Sequence, residues 1–275
     1  MGSNEDSGER MHPVLFRIGS FEIGTYGLLL ALGFFLALGL AGRLARKDNL
    51  SMEAITDLAV TVLIAGVVGA KLLMVIVDLL NGKPAAEAFS LGTLRAGGFV
   101  HGGVIAGAAA FFWRMRKNHL PYAETMDTLV APLALGQAIG RLGCFAAGCC
   151  YGTSCDRPWA VTFTSEAAER FSGTHLHVPL HPVQLYSSAL NFTILGILLL
   201  LHSKRKIKGS VFGAYFVLEG AARILVETWR DDPDRGTWLG QAWLSTGRLT
   251  GFAFILFGAG VLAWAYRRAR SLKSA

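Results

Sequence analysis

All but four of the 26 lysines and arginines in this 275-residue chain fall where a reading of the sequence places loops or tails. The exceptions are Lys71, Arg141, Arg223 and Arg248, which lie within or at the ends of long apolar stretches. A cation near the centre of a bilayer costs roughly 2.5–3.5 kcal/mol on insertion scales, so such residues face a cavity or a partner. Arg248 sits beside the start of its stretch and can snorkel to the interface. Arg141 and Arg223 are harder to place. Glu219, Arg223 and Glu227 follow one another at i, i+4 spacing and share one helical face, with Arg230 three residues further on. One reading is an internally neutralised structural ladder. The other is a guanidinium held between carboxylates so that its planar fork can meet an anionic headgroup.

His101 stands in an apolar stretch inside Gly97-Gly98-Phe99-Val100-His101-Gly102-Gly103, followed by Gly107. Glycines at i, i+4 permit close approach of a neighbouring helix. Their crowding around one histidine also points to backbone exposed to a ligand. Arg141 belongs to Gly140-Arg141-Leu142-Gly143-Cys144-Phe145, and four cysteines, Cys144, Cys149, Cys150 and Cys155, lie within twelve residues. Their C-x4-C-C-x4-C spacing is not a standard zinc pattern, and adjacent cysteines rarely bind one ion, so no metal is expected. They are read as small packing residues, with a disulfide as the alternative.

These residues are positioned by elements that belong in lipid. Of the residues, 52% are hydrophobic and only 16% charged, with a mean hydropathy of +0.44, which excludes an ordinary soluble enzyme. Seven spans are expected: Gly24 to Leu44, Leu58 to Leu80, Gly97 to Trp113, Thr128 to Cys149, Leu185 to His202, Gly209 to Thr228, and Gly247 to Tyr266. The fold class is therefore all-α, a polytopic membrane protein.

Lysines and arginines cluster after spans one, three, five and seven, as in Arg114, Arg116 and Lys117 or Lys204, Arg205, Lys206 and Lys208, while the other side carries fewer. The positive-inside rule then puts the amino terminus outside and the carboxyl terminus in the cytoplasm. That placement also accounts for the net charge of +7 without nucleic acid. Residues 1–12 are expected to be a polar disordered tail, 13–270 a single transmembrane domain, and 151–184 an external loop within it. No internal repeat of the inverted-transporter kind is found.

Four ordered stretches, HGGVIAG at His101 to Gly107, GRLGCF at Gly140 to Phe145, HPVQLY at His181 to Tyr186 and RILVETWR at Arg223 to Arg230, together with the Tyr26-Gly27 pair, resemble the prolipoprotein diacylglyceryl transferase family. The resemblance implies an enzyme of the bacterial inner membrane. Such an enzyme moves diacylglyceryl from phosphatidylglycerol to the lipobox cysteine thiol of a preprolipoprotein signal peptide, releases glycerol phosphate, and uses no cofactor. It places catalytic roles on His101, Arg141, Arg223 and Tyr26. Substrate contacts fall on Gly102, Gly103, Gly143, Gly152, His181, Gln184, Tyr186, Glu227 and Arg230.

The chain departs from the family pattern at four places. Cys144 stands where the family has asparagine, Cys149 where it has glutamate, Ser187 where an acid is expected and Glu219 where a tyrosine is expected. These departures keep open a paralogous transferase with another lipid donor or acceptor, and a non-enzymatic lipid-binding or transport protein.

Overall fold

The computed structural model describes residues 14–18, 21–90, 98–231, 236–238 and 241–274. The expected tail at 1–12 and the first residue of the expected third span, Gly97, lie outside the described residues. A hairpin of β1 (Val14–Ile18) and β2 (Phe21–Gly24) leads into α1 (Thr25–Lys47). There follow α2 (Met52–Leu80), the short α3 (Ala85–Ala88), α4 (Val100–Lys117) and α5 (Tyr122–Ala147). The segment after α5 holds β3 (Val161–Thr162), α6 (Glu166–Ser172) and β4 (Pro179–Leu180). The chain then continues through α7 (Val183–Lys204), α8 (Ser210–Val226), β5 (Thr237–Trp238), β6 (Gln241–Ser245) and α9 (Thr246–Ser274).

Five of these helices, α1, α2, α5, α7 and α9, are long and apolar enough to cross a membrane. Their surfaces suit lipid. Only 6% of the most apolar window of α2 is buried, and Leu63, Ile64, Val67, Leu72 and Ile76 are exposed along it. Contiguous apolar surface on this scale needs a covering medium. The expected third and sixth spans correspond to α4 and α8, which are shorter, at 18 and 17 residues. α4 is diluted by glycine and ends in Arg114, Arg116 and Lys117. α8 gives way at Glu227 to a single tight turn, Glu227–Trp229.

The chain divides into two compact units, one comprising Met1–Leu40 with Met126–Ala275 and the other Ala41–Thr125. In the second unit α2 and α4 pack backbone to backbone. A Cβ on Gly69 would meet Ala106 and the Gly102 carbonyl, one on Gly102 would meet the Gly69 carbonyl, and Gly103 lies over Gly66. Small residues thus set the spacing of this pair. At its other end Arg114 Nη2 donates to Asp57 Oδ1 at 2.7 Å and Arg114 Nε to Thr61 Oγ1 at 2.9 Å.

In the first unit Ser188 Oγ of α7 donates to the Ala138 carbonyl of α5 at 2.9 Å, and Tyr215 Oη of α8 donates to Gln137 Oε1 at 3.0 Å. α8 and α9 cross at glycines, with Gly220 against Gly251 and Gly213 against Gly258. The buried Asp127 accepts from the backbone N–H groups of Gly209 and Phe212, both at 2.8 Å, and so caps the start of α8 from 82 and 85 residues away. Two further anchors place the ends of helices α8 and α9. Ser245 Oγ accepts from Arg248 N at 3.2 Å at the head of α9, and the Gly247 position leaves room for the carboxylate of Glu227.

Candidate active site

The charged stripe of α8 gathers with the end of α5 around one cavity. Its lining includes Arg141, Cys150, Ser187, Asn191, Glu219, Arg223, Glu227 and Arg230. Three guanidinium groups face two carboxyl groups here. With all five ionised, one positive charge is left over, matching a phosphodiester monoanion.

The polar groups in this cavity are incompletely matched by the protein itself. Glu219 Oε2, Arg223 Nε and Asn191 Oδ1 are buried and have no hydrogen-bond partner among the described residues. A buried polar atom without a partner costs roughly 1–3 kcal/mol. In this cavity such atoms leave donors and acceptors available to a bound polar group. Glu227 itself is 2% exposed and seated against Gly247, where any Cβ would collide with its carboxylate.

The segment between α5 and α7 contributes Cys150 to the lining, and its geometry hangs on Gly152. Gly152 bridges Arg230 in antiparallel fashion, Thr153 N donates to the Trp229 carbonyl at 2.8 Å, and His181 N donates to the Thr153 carbonyl at 2.9 Å. A Cβ on Gly152 would strike the Trp229 carbonyl, Val183 and His181 together, so the three chains meet only because this residue lacks a side chain. Beneath lies a small core of Tyr151, Phe163 and Leu180, with Tyr151 Oη donating to the Gly173 carbonyl at 2.7 Å.

The remaining motif residues support this frame. His181 Nδ1 and Tyr186 Oη are 3.0 Å apart, Trp159 Nε1 donates to Tyr186 Oη at 2.8 Å, and both His181 and Tyr186 pack on Trp229. Gln184 is fully buried and donates from Nε2 to the Cys149 carbonyl at 2.7 Å. Tyr26, 42% exposed at the head of α1, has its ring against Gly143. It lies within electrostatic range of Arg141, Cys144, Cys149 and Cys150.

The structure thus brings Tyr26, Arg141, Gly143, Cys144, Cys149, Cys150, Gly152, Arg223, Glu227 and Arg230 into one region, with His181, Gln184 and Tyr186 as its support. His101 belongs to the second unit, where it is exposed in the first turn of α4, while Gly102 and Gly103 are engaged with α2. Asn191 was missed by sequence reasoning. Its i, i+4 relation to Ser187 within an otherwise apolar helix was the available signal, since both line the cavity.

All four cysteines carry free thiols. Cys155 is buried apart from the others, its N–H donating to the Pro179 carbonyl at 2.9 Å. The sulfurs of Cys144, Cys149 and Cys150 lie within 4.8 Å of one another.

A family model described as prolipoprotein diacylglyceryl transferase matches residues 13–264. Among curated proteins, the phosphatidylglycerol–prolipoprotein diacylglyceryl transferase of Clostridium tetani is 35% identical over 90% of this chain and 95% of its own length. The proteins of the same name from Finegoldia magna and Photobacterium profundum are 32% and 29% identical, over 90% and 93% of this chain and 93% of their own lengths in both cases. A match across nearly the whole chain, covering the segments that build the cavity, means that the protein belongs to the prolipoprotein diacylglyceryl transferase family.

Proposed function

We propose that this enzyme transfers the diacylglyceryl group of phosphatidylglycerol to the thiol of a preprolipoprotein lipobox cysteine, releasing glycerol phosphate. The observation that carries the reading is the cavity in which Arg141, Arg223 and Arg230 outnumber Glu219 and Glu227, with buried polar atoms left unmatched. Displacement at a glycerol carbon turns a phosphodiester monoanion into a phosphomonoester dianion. Donors already aimed at the phosphate therefore bind the leaving group better than the donor lipid, which is where rate is gained. Arg141 and Arg223 hold the phosphate, with Glu219 and Glu227 as the carboxylates beside Arg223 in the same cavity lining. Tyr26, beside Gly143, orients the reacting region, and His101 keeps the general-base role that the family resemblance gives it.

In the same reading the seven longer helices, α1, α2, α4, α5, α7, α8 and α9, all cross the bacterial inner membrane, with the amino terminus and the 151–184 segment outside and the carboxyl terminus in the cytoplasm. The excess of lysine and arginine at one set of helix ends supports this orientation. Complementation of a strain depleted of its own transferase tests the function: growth and lipidated lipoprotein are expected with the native chain and not with Arg141→Lys or Arg223→Lys. Failure of the well-expressed native chain to restore lipidation would favour a transferase with another donor or acceptor.

A further inference from the structure

We propose that Cys144, Cys149 and Cys150 form a three-thiolate site for a metal ion of the zinc class, and that the ion's remaining position receives the thiol of the acceptor cysteine. The inference rests on the transfer reaction proposed above. Spacing alone argues against it, because neighbouring side chains in ordinary extended backbone point to opposite sides. The backbone here is not ordinary. α5 ends at Ala147, Gly148 turns the chain at φ 75°, and Cys150 adopts φ 58°, a left-handed conformation that residues with a Cβ seldom take. The turn brings the adjacent Cys149 and Cys150 sulfurs to the same side as Cys144, all three within 4.8 Å of one another. Three sulfurs at about 2.3 Å from one tetrahedral zinc ion are about 3.8 Å apart, so closure asks for shifts of only about half an ångström per sulfur.

The turn is also held from outside. Gln184 Nε2 donates to the Cys149 carbonyl at 2.7 Å and Thr174 Oγ1 to the Gly148 carbonyl at 2.8 Å. Soft thiolate donors select zinc and similar d10 ions. Structural zinc sites are closed by four protein ligands, whereas catalytic ones stop at three and keep a position open. Among the described residues the donor group stops at three, since Cys155 is not part of it. The three cysteines are half-buried rather than sealed, and Cys150 forms part of the wall shared with Arg141, Arg223 and Arg230. An acceptor sulfur on such an ion therefore stands beside the groups that hold the phosphate.

The chemistry balances without an oxidant or reductant. The acceptor thiol gives up its proton to the general base of the proposed reaction as it binds the ion, since metal-bound thiols are deprotonated. The thiolate lone pair forms the new C–S bond to the glycerol carbon as the C–O bond to phosphate breaks. The electron pair of that bond leaves on the phosphate oxygen, and glycerol phosphate departs into the arginine cluster. The neutral thioether product is a poorer ligand than the thiolate and gives up the position.

The test uses the full-length chain purified in detergent after growth with added zinc, beside Cys144→Ser, Cys149→Ser, Cys150→Ser and, as control, Cys155→Ser. Elemental analysis should find about one zinc per chain in the native protein and the control. Each of the other three variants should retain zinc at least about 100-fold more weakly, the upper end of what loss of a mere supporting group costs. Cadmium exchanged into the native chain should give the ultraviolet cadmium–thiolate band, which reports sulfur ligation independently of turnover and of whether any variant folds. A metal-free native chain lacking that band after cadmium addition, or a disulfide among the three residues found by mass spectrometry, would overturn the site. Transfer to a lipobox peptide should fall on chelation and return with zinc. Transfer indifferent to chelation would overturn the acceptor role. A chain that shows zinc and the cadmium band but transfers no diacylglyceryl would instead refute the proposed reaction, with the metal site standing.

Discussion

The cavity region of the first unit and the α2–α4 pair of the second are built from the same ingredients, glycines and ionisable residues in apolar helices, yet they use them in opposite ways. In the pair, glycines bring backbone onto backbone, and Asp57, Thr61, Arg114 and Asn118 satisfy one another. Around the cavity, Gly247 makes room for a carboxylate and Gly152 for a three-way chain crossing, while Glu219, Arg223 and Asn191 keep buried polar atoms unmatched. These two regions therefore differ in completeness of polar pairing, although Thr125 Oγ1 and Gln184 Oε1, outside the cavity lining, also lack a partner among the described residues. Charge or glycine content alone does not make the difference.

The largest expected effect is on the cavity side. Arg141→Lys and Arg223→Lys each retain a positive charge but lose the planar fork. If these groups act on the leaving phosphate, each variant should lose about 10²–10³ in transfer rate, as when one transition-state donor is removed elsewhere. The melting temperature should stay near the native value. A lipidation assay with phosphatidylglycerol vesicles and a lipobox peptide measures this, and near-native transfer by both variants would put the cavity in the same class as the helix pair.

Asp127→Ala comes next, as a buried charged group in the first unit that is fully paired. Removing it leaves the N–H groups of Gly209 and Phe212 without their acceptor and should cost about 1–3 kcal/mol of stability. Asp127→Asn should recover part of that, because the amide oxygen still caps the helix. Thermal unfolding of the two variants checks it, and a loss of transfer without any loss of stability would mean that Asp127 belongs to the site.

Gly69→Ala probes the other region. The added methyl meets Ala106 and the Gly102 carbonyl, so α2 and α4 must separate. Overpacking of this kind costs about 1–3 kcal/mol. The expected outcome is a lower folded yield with unchanged transfer per folded molecule, whereas Gly27→Ala, where nothing lies within 4 Å, should be silent in both assays.

These contrasts also show which features were legible beforehand. Arg141 and the Glu219, Arg223, Glu227, Arg230 stripe stood out because charge in an apolar run is costly, and hydropathy placed all seven longer helices. The shorter lengths of α4 and α8 were less visible, since glycine and charge dilute hydropathy gradually rather than at a boundary. The role of Asp127 was not legible, because its partners lie on a helix more than 80 residues away, beyond any local pattern. The glycines beside His101 looked as though they exposed backbone to a ligand. They turned out to face α2, because sequence does not say what fills the space a missing Cβ leaves. For the cysteines, spacing argues only for chains of ordinary conformation, and the left-handed Cys150 breaks that premise.

The smallest expected effect concerns the Asp57–Arg114 pair, and it tests the comparison most sharply because the geometry looks strong. The 2.7 Å contact is reinforced by Thr61 on the arginine and by Asn118 donating to Asp57 Oδ2 at 3.1 Å. Asp57 is nevertheless 37% exposed and Arg114 19%. Solvent and salt screen such a pair, and both side chains lose rotamer freedom in holding it. A double-mutant cycle of Asp57→Ala and Arg114→Ala should therefore give a coupling of only about 0.2–1 kcal/mol. The coupling should shrink further as salt rises, and neither single variant should lose transfer activity per folded molecule. Arg114→Ala should cost somewhat more than Asp57→Ala, since it also removes the bond to Thr61 and stacking over Trp113, where the guanidinium sits 5.0 Å from the ring centroid. A coupling well above this range, or a drop in transfer that stability does not explain, would show that complete pairing does not distinguish scaffold from site in this protein.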